Sequence, residues 1–272
     1  MCRLCKRSQY CRFCKSCRCH ACSRGSLTQK QVQYSVEAIT LTTIKYGDSS
    51  LILACFTRQY GFQSYMLKGI LSSRNNKRIS RSLFEPLNLL ELEVPKNSKD
   101  RLGYIREAKL HYPYQSIPFD LRKKSLLFFL AEVISQVVKE EQEINLGLYD
   151  FLKTRLLWLD TEDQVGLFHI KMMIDLTKFI GFYPNLTKIN APFFDLKTGC
   201  MVSTKTHPDF LEGKLKDYWI NLFGAKFDAI ENIRLSKDEK SDLLKYVVRY
   251  FQLHLQQFKP PKSTEILNEV FK

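Results

Sequence analysis

The chain has 272 residues, 44% of them hydrophobic, and its 42 lysines and arginines outnumber its 28 aspartates and glutamates, giving a formal net charge of +14. This length and composition allow one large hydrophobic core or two modest ones. They exclude a membrane-spanning helix, because the most apolar run, residues 126–131, ends at Glu132, and the basic N-terminus lacks the apolar stretch of a secretory signal. We therefore expect a cytoplasmic protein that contacts a polyanion and no membrane.

The first thirty residues have a composition of their own, with eight basic side chains, no acidic ones and seven of the nine cysteines. Four cysteine pairs have the CxxC spacing that can place two thiolates on one zinc ion: Cys2/Cys5, Cys11/Cys14, Cys14/Cys17 and Cys19/Cys22. One hypothesis is therefore a zinc-dependent nucleic-acid-binding regulator that uses this cluster. The overlapping pairs and the scarcity of apolar side chains favour a basic leader over residues 1–31, disordered or translated from a misassigned start codon. On that interpretation we expect no metal site and no cofactor.

Residues 37–69 contain three runs rich in β-branched and aromatic side chains, separated by turn signals at 47–50 and 59–61. The alternation of side chains within these runs predicts antiparallel strands with one buried face. Two further β-compatible runs follow at 83–94, with a proline near its start, and at 101–112. We therefore predict a five-stranded β-barrel of the OB type, a nucleic-acid-binding domain, over residues 32–115.

A basic segment joins the third and fourth predicted strands, at residues 70–81, and it carries no acidic side chain. Lysines and arginines on such a loop can reach phosphates and displace condensed counterions. Lys45 and Lys68 lie at strand ends near several tyrosines, an arrangement that suits single strands. The predicted DNA-binding residues are Lys45, Lys68, Arg74, Lys77, Arg78 and Arg81. The alternative is a protein-interaction module whose basic loop is only solvated surface and whose tyrosines are core residues.

From Leu121 the apolar residues recur at helical spacing. The pattern predicts helices over the segment that ends at Glu140, over 146–159 and, after a capping-box pattern at Thr161, over a third segment. A loop-rich stretch at 184–208 precedes a helix capped by Ser236, and a short helix ends the chain. We predict an α-helical domain over residues 116–272, and hence an α+β multidomain protein.

No catalytic set is evident in the sequence. The four histidines after residue 100, at 111, 169, 207 and 254, have no cysteine, serine or carboxylate at a known catalytic spacing. The chain also lacks a P-loop, an HExxH motif and a GxSxG motif. These observations disfavour an enzyme.

Several segments resemble the RecO family of bacterial recombination mediators. They are 44–52 (IKYGDSSLI), 56–57 (FT), 60–62 (YGF), 67–69 (LKG), 83–87 (LFEPL), 253–255 (LHL) and 260–263 (PPKS). The resemblance covers about residues 34–272, so it begins where the cysteine-rich leader ends.

The resemblance implies a DNA repair and recombination mediator that is not an enzyme. Members of the family have an N-terminal OB domain and a helical C-terminal domain, bind single- and double-stranded DNA, and anneal complementary strands. With RecR they help to load RecA onto gaps coated by the single-stranded DNA-binding protein, in the RecF pathway. By this analogy the six predicted basic residues contact phosphates, the helical domain docks the acidic, hydrophobic-ended tail of the single-stranded DNA-binding protein, and the protein is associated with the nucleoid.

The sequence departs from the family at one place. Some members carry a four-cysteine zinc site after the third long helix, whereas this chain has GFYP at 181–184 and only Cys200 nearby. We therefore expect the 184–208 stretch to keep its shape by aromatic packing. The candidates are Phe182, Tyr183, Phe193 and Phe194.

Overall fold

The computed structural model describes residues 33–72, 79–95, 102–141 and 143–271. The cysteine-rich leader, and with it the zinc hypothesis, lies outside these ranges, as do Arg74, Lys77 and Arg78. Residues Gln33–Lys272 form one compact unit. Among the described helices, none combines the length and the hydropathy needed to cross a bilayer.

Six strands form one sheet in the order β5-β3-β2-β1-β4-β6. Their bounds are β1 (Gln33–Tyr46), β2 (Ser50–Thr57), β3 (Gly61–Leu67), β4 (Leu89–Pro95), β5 (Gly103–Tyr104) and β6 (Glu107–Tyr112). All neighbours are antiparallel except β3 and β5. The three strands predicted within 37–69 are confirmed. Gly47, in the first turn, and Gly61, directly after the second turn, have positive φ angles of 60° and 65°, at which a side chain would be strained.

The predicted five-stranded closed barrel is wrong in strand number and in closure. The run at 101–112 is interrupted because Ile105 turns into the core, where it is only 8% exposed, and the Arg106 N–H bonds to the Glu93 carbonyl of β4. β5 therefore pairs with β3 while β6 pairs with β4. The edge strands β5 and β6 follow each other in the chain but do not pair with each other, so no ladder of hydrogen bonds closes the sheet into a barrel.

The fourth predicted strand also begins later than expected. A 3-10 helix occupies Arg81–Phe84, capped by the Ser80 hydroxyl, which accepts from the Ser82 N–H. Leu87 follows with a positive φ of 58°, and its N–H bonds to the Thr40 carbonyl. Because Pro86 has no N–H to give to a ladder, pairing starts only at Leu89.

A β-bulge in β1 decides which side chains share a face. Strand β1 pairs with β2 through Ile39 opposite Phe56 and through Ile44 opposite Ile52, and the register shifts between Thr40 and Thr42. Ile39 and Ile44 are an odd number of residues apart, so in a regular strand they would lie on opposite faces. The extra residue of the bulge brings both of them to the outer face of the sheet.

Six α-helices and a small second sheet follow. The helices are α1 (Leu121–Glu140), α2 (Leu146–Thr161), α3 (Phe168–Leu176), α4 (Gly213–Gly224), α5 (Lys237–His254) and α6 (Thr264–Val270). The Ser236–Glu239 capping box of α5 is confirmed. The box predicted at Thr161 is wrong, because α2 continues to that residue and its hydroxyl bonds to the Trp158 carbonyl.

The stretch predicted as loop-rich at 184–208 contains two short strands, β7 (Phe193–Asp195) and β8 (Cys200–Val202). With β9 (Phe210–Glu212), just beyond the stretch, they form a sheet in the order β8-β7-β9. The expected aromatic packing is present: Phe182 stacks on His254 at 5.0 Å between ring centroids, and the buried Phe194 lies 5.4 Å from Trp219. In the described part of the chain, no cluster of His, Cys, Asp and Glu could hold a metal ion.

Candidate nucleic-acid interface

The outer face of the six-stranded sheet is divided into two halves. The inner face carries its own apolar core, which includes Leu53, Tyr65 and Leu92. On the outer face, one half packs against the helices and belongs to their core. We call these residues the covered half: Ile39, Leu41, Phe56 and Phe62.

Specific contacts hold the helices over the covered half. The Phe56 ring, 1% exposed, lies 5.9 Å from Tyr149 of α2, and the Lys139 ammonium of α1 lies 5.8 Å from the Phe62 ring centroid. Ion pairs flank the apolar contact. Arg58 meets Asp150 at 3.2 Å, and Lys153 meets Glu37 at 2.7 Å.

The other half of the outer face is open to solvent. One row of directly opposed residues crosses four strands, from Ile44 to Ile52 to Met66 to Tyr104. Ile44 is 62% exposed and Tyr104 is 42% exposed. Tyr46, two residues beyond Ile44, lies on the same face and is 54% exposed. We call this set of five residues the exposed half.

Basic side chains border the exposed half. Lys68 directly follows β3 and is exposed, beside the turn in which the Gly69 N–H bonds to the Ser50 hydroxyl at 3.3 Å. Lys68 is two residues beyond Met66, so it follows the outer face, whereas Lys45 lies opposite Leu51 and therefore points to the other face at the same end of the sheet. Two strand spacings, about 10 Å, separate the two backbone positions.

A third cation lies at the far end of the row. The Arg106 guanidinium is 6.0 Å from the Tyr104 ring centroid, a distance at which a cation is attracted to an aromatic face. The exposed half therefore presents apolar and aromatic surface with positive charge at both ends.

The structure places the six predicted residues as follows. Lys45 and Lys68 are exposed at the border of the exposed half, and Arg81 is exposed at the first position of the 3-10 helix. Arg74, Lys77 and Arg78 fall outside the described residues. The structure therefore places Lys68 at the outer face, Lys45 on the other face of the same sheet end, and Arg81 in a cleft beside α1 that Leu51 also lines.

The tyrosines near these lysines have different environments. Tyr46 is exposed, whereas Tyr65 is fully buried on the inner face, where burial raises its pKa and its hydroxyl has no described partner. Sequence reasoning missed Ile44, Met66, Tyr104 and Arg106. Strand alternation could have indicated which residues share the outer face. It fails in β1, because the bulge between Thr40 and Thr42 places Ile39 and Ile44 on the same face although they are an odd number of residues apart.

One buried carboxylate fixes the connection between the sheet and α1. Asp160, at the end of α2, accepts the backbone N–H groups of Gln115, Ser116 and Ile117 at 2.8, 2.9 and 3.0 Å. Burial opposes its ionisation, but these hydrogen bonds outweigh burial and hold the pKa of Asp160 below its ordinary value. The buried Lys123 ammonium joins the cluster through the Ser116 hydroxyl at 2.6 Å.

A small pocket of about 200 Å³ lies among α3, α5 and α6. Leu244, Leu267 and Phe271 supply apolar surface, Lys237 and Lys240 supply positive charge, and Asp238 supplies one carboxylate. His169 also lines the pocket and is 5% exposed, and its Nδ1 has no described hydrogen-bond partner. Burial, and then the charge of Lys240, lower the pKa of His169 to about 3, so the ring is neutral at physiological pH.

Comparisons with known proteins agree over both parts of the chain. The family model "Recombination protein O N terminal" matches residues 31–114, and "Recombination protein O C terminal" matches residues 118–265. A DNA repair protein RecO from Flavobacterium psychrophilum is 35% identical over 245 residues, which cover 88% of this chain and 100% of that protein. The protein of the same name from Christiangramia forsetii is 33% identical over 235 residues, covering 86% of this chain and 98% of that protein.

Proposed function

The chain belongs to the RecO family of DNA repair proteins, and from this premise we propose that it is a recombination mediator that binds single- and double-stranded DNA and anneals complementary strands. It acts with RecR to load RecA onto gaps covered by the single-stranded DNA-binding protein, in the RecF pathway, at the nucleoid in the cytoplasm. It binds and positions strands and catalyses no change of covalent bonds.

The exposed half of the sheet is the observation that carries the proposal. A monomeric protein rarely leaves a row of apolar and aromatic side chains in solvent unless the row binds something. Single-stranded nucleic acids fit such a surface, because bases stack on rings while lysines and arginines follow the phosphates. Tyr46 and Tyr104 are the proposed stacking residues, and Lys45 and Lys68 are the proposed phosphate contacts.

The basic segment at residues 70–81 adds further cations to the proposal. By sequence, Arg74, Lys77 and Arg78 lie three to seven residues before Arg81, whose side chain is exposed. Four cations on one segment add a contribution to binding that depends on salt and not on sequence. We assign DNA binding to a domain of residues 32–115 and partner binding to the helical domain of residues 116–272.

The pocket among α3, α5 and α6 is the proposed site for the tail of the single-stranded DNA-binding protein. Leu244, Leu267 and Phe271 can receive an apolar terminal side chain, while Lys237 and Lys240 complement acidic residues and a terminal carboxylate. The neutral His169 ring lines the same pocket, and in the tautomer with its proton on Nδ1 it can donate to the same carboxylate. Two lysines against one carboxylate, Asp238, and a ring nitrogen without a described partner support this assignment.

The DNA-binding proposal is tested by removing the four cations of the loop. We expect a variant with Arg74, Lys77, Arg78 and Arg81 all changed to Ala to bind single strands more weakly. The slope of log affinity against log salt should become shallower by up to about 3, because each contact with a single strand contributes about 0.7. Fluorescence anisotropy with a labelled oligonucleotide at several salt concentrations measures both quantities, and strand annealing is followed in parallel.

A matched control separates the loop from net charge. Four lysines of the helical region are exposed: Lys188, Lys226, Lys259 and Lys262. Changing all four to Ala removes the same charge and should leave the salt slope close to that of the unchanged protein. Equal effects of the two variants would mean that the loop is only solvated surface. Absence of DNA binding by the unchanged protein would favour the alternative hypothesis, a protein-interaction module.

The tail site has its own test on α5. A peptide with several acidic residues and a carboxy-terminal phenylalanine should bind the protein, and Lys240→Glu should weaken binding about tenfold or more, as expected for loss of a hydrogen bond to a charged group. Lys245→Glu is the control, because Lys245 lies on the same helix, is exposed and does not line the pocket. Similar losses in both variants would contradict the pocket.

The alternative, a zinc-dependent regulator, depends on the cysteines of residues 1–31. We expect a zinc chelator to leave single-strand binding by the full chain unchanged. Stoichiometric zinc, together with loss of DNA binding on its removal, would favour the regulator.

A further inference from the structure

A cleft of about 550 Å³ opens between the end of the sheet and α1. The wall formed by the sheet and its neighbouring 3-10 helix includes Leu51, Phe84 and Pro86, and the opposite wall includes Leu127 and Phe128 of α1. Most of these side chains are buried, but Phe128 is 54% exposed. The cleft therefore has an apolar interior with one aromatic ring only partly covered.

Charged side chains line the same cleft. Arg81, the first residue of the 3-10 helix, and Lys124 of α1 come from opposite walls. Glu85 is the one carboxylate among the described residues that line it, and its side chain is exposed. The cleft thus combines two cations, one hydrogen-bond acceptor and an apolar surface.

The cleft lies at the end of the sheet that carries the exposed half, but on the other face. Thr43 and Leu51 line it, and Lys45 lies directly opposite Leu51 and shares that face. A DNA single strand that leaves the exposed half and passes around the end of the sheet beside Lys45 would reach the mouth of the cleft.

We propose that this cleft binds one unpaired base of a DNA single strand, with the base against Phe128 and the adjoining phosphate between Arg81 and Lys124. Glu85 accepts a hydrogen bond from the exocyclic amine of the base, as carboxylates do from the N4 amine of cytosine. This inference rests on the proposed function, and it adds a base-specific element to an interface otherwise based on stacking and charge.

The distribution of charge favours a nucleotide over an acidic peptide. A nucleotide keeps its negative charge on the phosphate, between Arg81 and Lys124, and offers amine donors on a neutral ring. An acidic peptide that inserted here would bring further carboxylates towards Glu85, and like charges at close range oppose binding.

Substitution of the exposed ring provides the test. We expect Phe128→Ala in the full chain to weaken binding to labelled oligodeoxycytidylate about fivefold to a hundredfold, the range for loss of one stacked base. The salt slope should stay unchanged, because no charge is removed. Tyr183→Ala is the control, since Tyr183 is 47% exposed, similar to Phe128, and does not line the cleft.

A second variant tests the role of the carboxylate. The unchanged protein should prefer oligodeoxycytidylate over oligodeoxythymidylate, because thymine has no exocyclic amine. Glu85→Gln should reduce this preference, whereas Glu107→Gln, an exposed carboxylate outside the cleft, should retain it. Thermal unfolding verifies that the variants keep the stability of the unchanged protein.

The outcomes separate the base site from the function on which it rests. If the unchanged protein binds DNA and Phe128→Ala binds equally well, the base site is wrong and the proposed function stands. If Phe128→Ala weakens binding of an acidic peptide and leaves DNA binding unchanged, the cleft is a peptide site. Absence of DNA binding by the unchanged protein contradicts the proposed function and the base site together.

Discussion

The covered and exposed halves of the sheet lie on the same face of the same strands. In β2, Phe56 of the covered half and Ile52 of the exposed half are four residues apart and point the same way. Both halves are rich in aliphatic and aromatic side chains. Only the first has helices over it, and Phe56 is 1% exposed there, whereas Ile44 of the second is 62% exposed.

This contrast separates stability from recognition. Apolar area that a helix covers lowers the free energy of the folded state by about 25 cal/mol per Å². The same kind of side chain left in solvent contributes little to folding, but it keeps its hydrophobic contribution available for a ligand. We therefore expect substitutions in the covered half to change stability and those in the exposed half to change DNA binding.

The largest effect is expected in the covered half. Phe56→Ala removes a ring that packs on Tyr149 between sheet and helices, and it should lower the free energy of unfolding by about 3–5 kcal/mol, as other large-to-small core substitutions do. Urea denaturation followed by circular dichroism measures this change. DNA affinity, corrected for the folded fraction, should stay close to that of the unchanged protein. Preserved stability would mean that the helices do not depend on the covered half.

A smaller loss of stability is expected at Asp160, whose carboxylate holds the segment that leads into α1. Asp160→Asn keeps the shape of the side chain but removes the charge that three backbone N–H groups bind, and it should cost about 2–3 kcal/mol. Because the folded-state pKa of Asp160 is lowered, its contribution is fully present above the unfolded pKa of about 3.9 and is lost as pH falls through the folded value.

The pH dependence of stability tests whether the ionised form of Asp160 makes this contribution. Unfolding curves at pH 7 should separate Asp160→Asn from the unchanged protein, and the two should converge as the pH falls below about 3.9. Asp150→Asn is the comparison, because that carboxylate is exposed in its ion pair with Arg58 and should contribute less than about 1 kcal/mol. A constant difference between pH 7 and acid would contradict a role for the ionised carboxylate.

The strands of residues 37–69 were predictable because side-chain alternation and glycine turns are local features. The division of their outer face was not, since two of its causes are not local. The bulge between Thr40 and Thr42 changes the parity of β1, and α1, more than seventy residues further along the chain, covers one half. Tyr46 and Tyr65 therefore looked alike in sequence, although one is exposed and the other is buried.

Short elements account for most of the other errors. Strands β7, β8 and β9 have three residues each, too few for alternation to distinguish them from a loop. The capping-box pattern at Thr161 failed because α2 runs to that residue, and residues 148–161 contain no stop signal such as glycine or proline. The Lys45 and Lys68 positions at strand ends could be predicted, because they follow directly from the strands.

In the exposed half, Tyr46→Ala should leave stability within about 0.5 kcal/mol of the unchanged protein. Single-strand affinity should fall by about 1–3 kcal/mol, the contribution of one stacked base. Anisotropy titrations and urea denaturation of the same preparation measure the two quantities together. Tyr46 and Phe56 lie on the same outer face, but Phe56→Ala should lower stability and Tyr46→Ala should lower DNA affinity. A loss of stability in Tyr46→Ala without a loss of affinity would contradict the division of the face.

The smallest expected effect is on the salt dependence of DNA affinity, and it is tested with two lysines, one beside each half. Lys68 borders the exposed half, whereas the Lys139 ammonium lies over Phe62 in the covered half. Lys68→Ala should make the slope of log affinity against log salt shallower by about 0.7, the contribution of one phosphate contact on a single strand. Lys139→Ala removes the same charge, so it should leave the slope unchanged and cost about 0.5–1 kcal/mol of stability through loss of its contact with the ring. Equal slopes for both variants would show that DNA responds to the net charge of the protein and not to the exposed half.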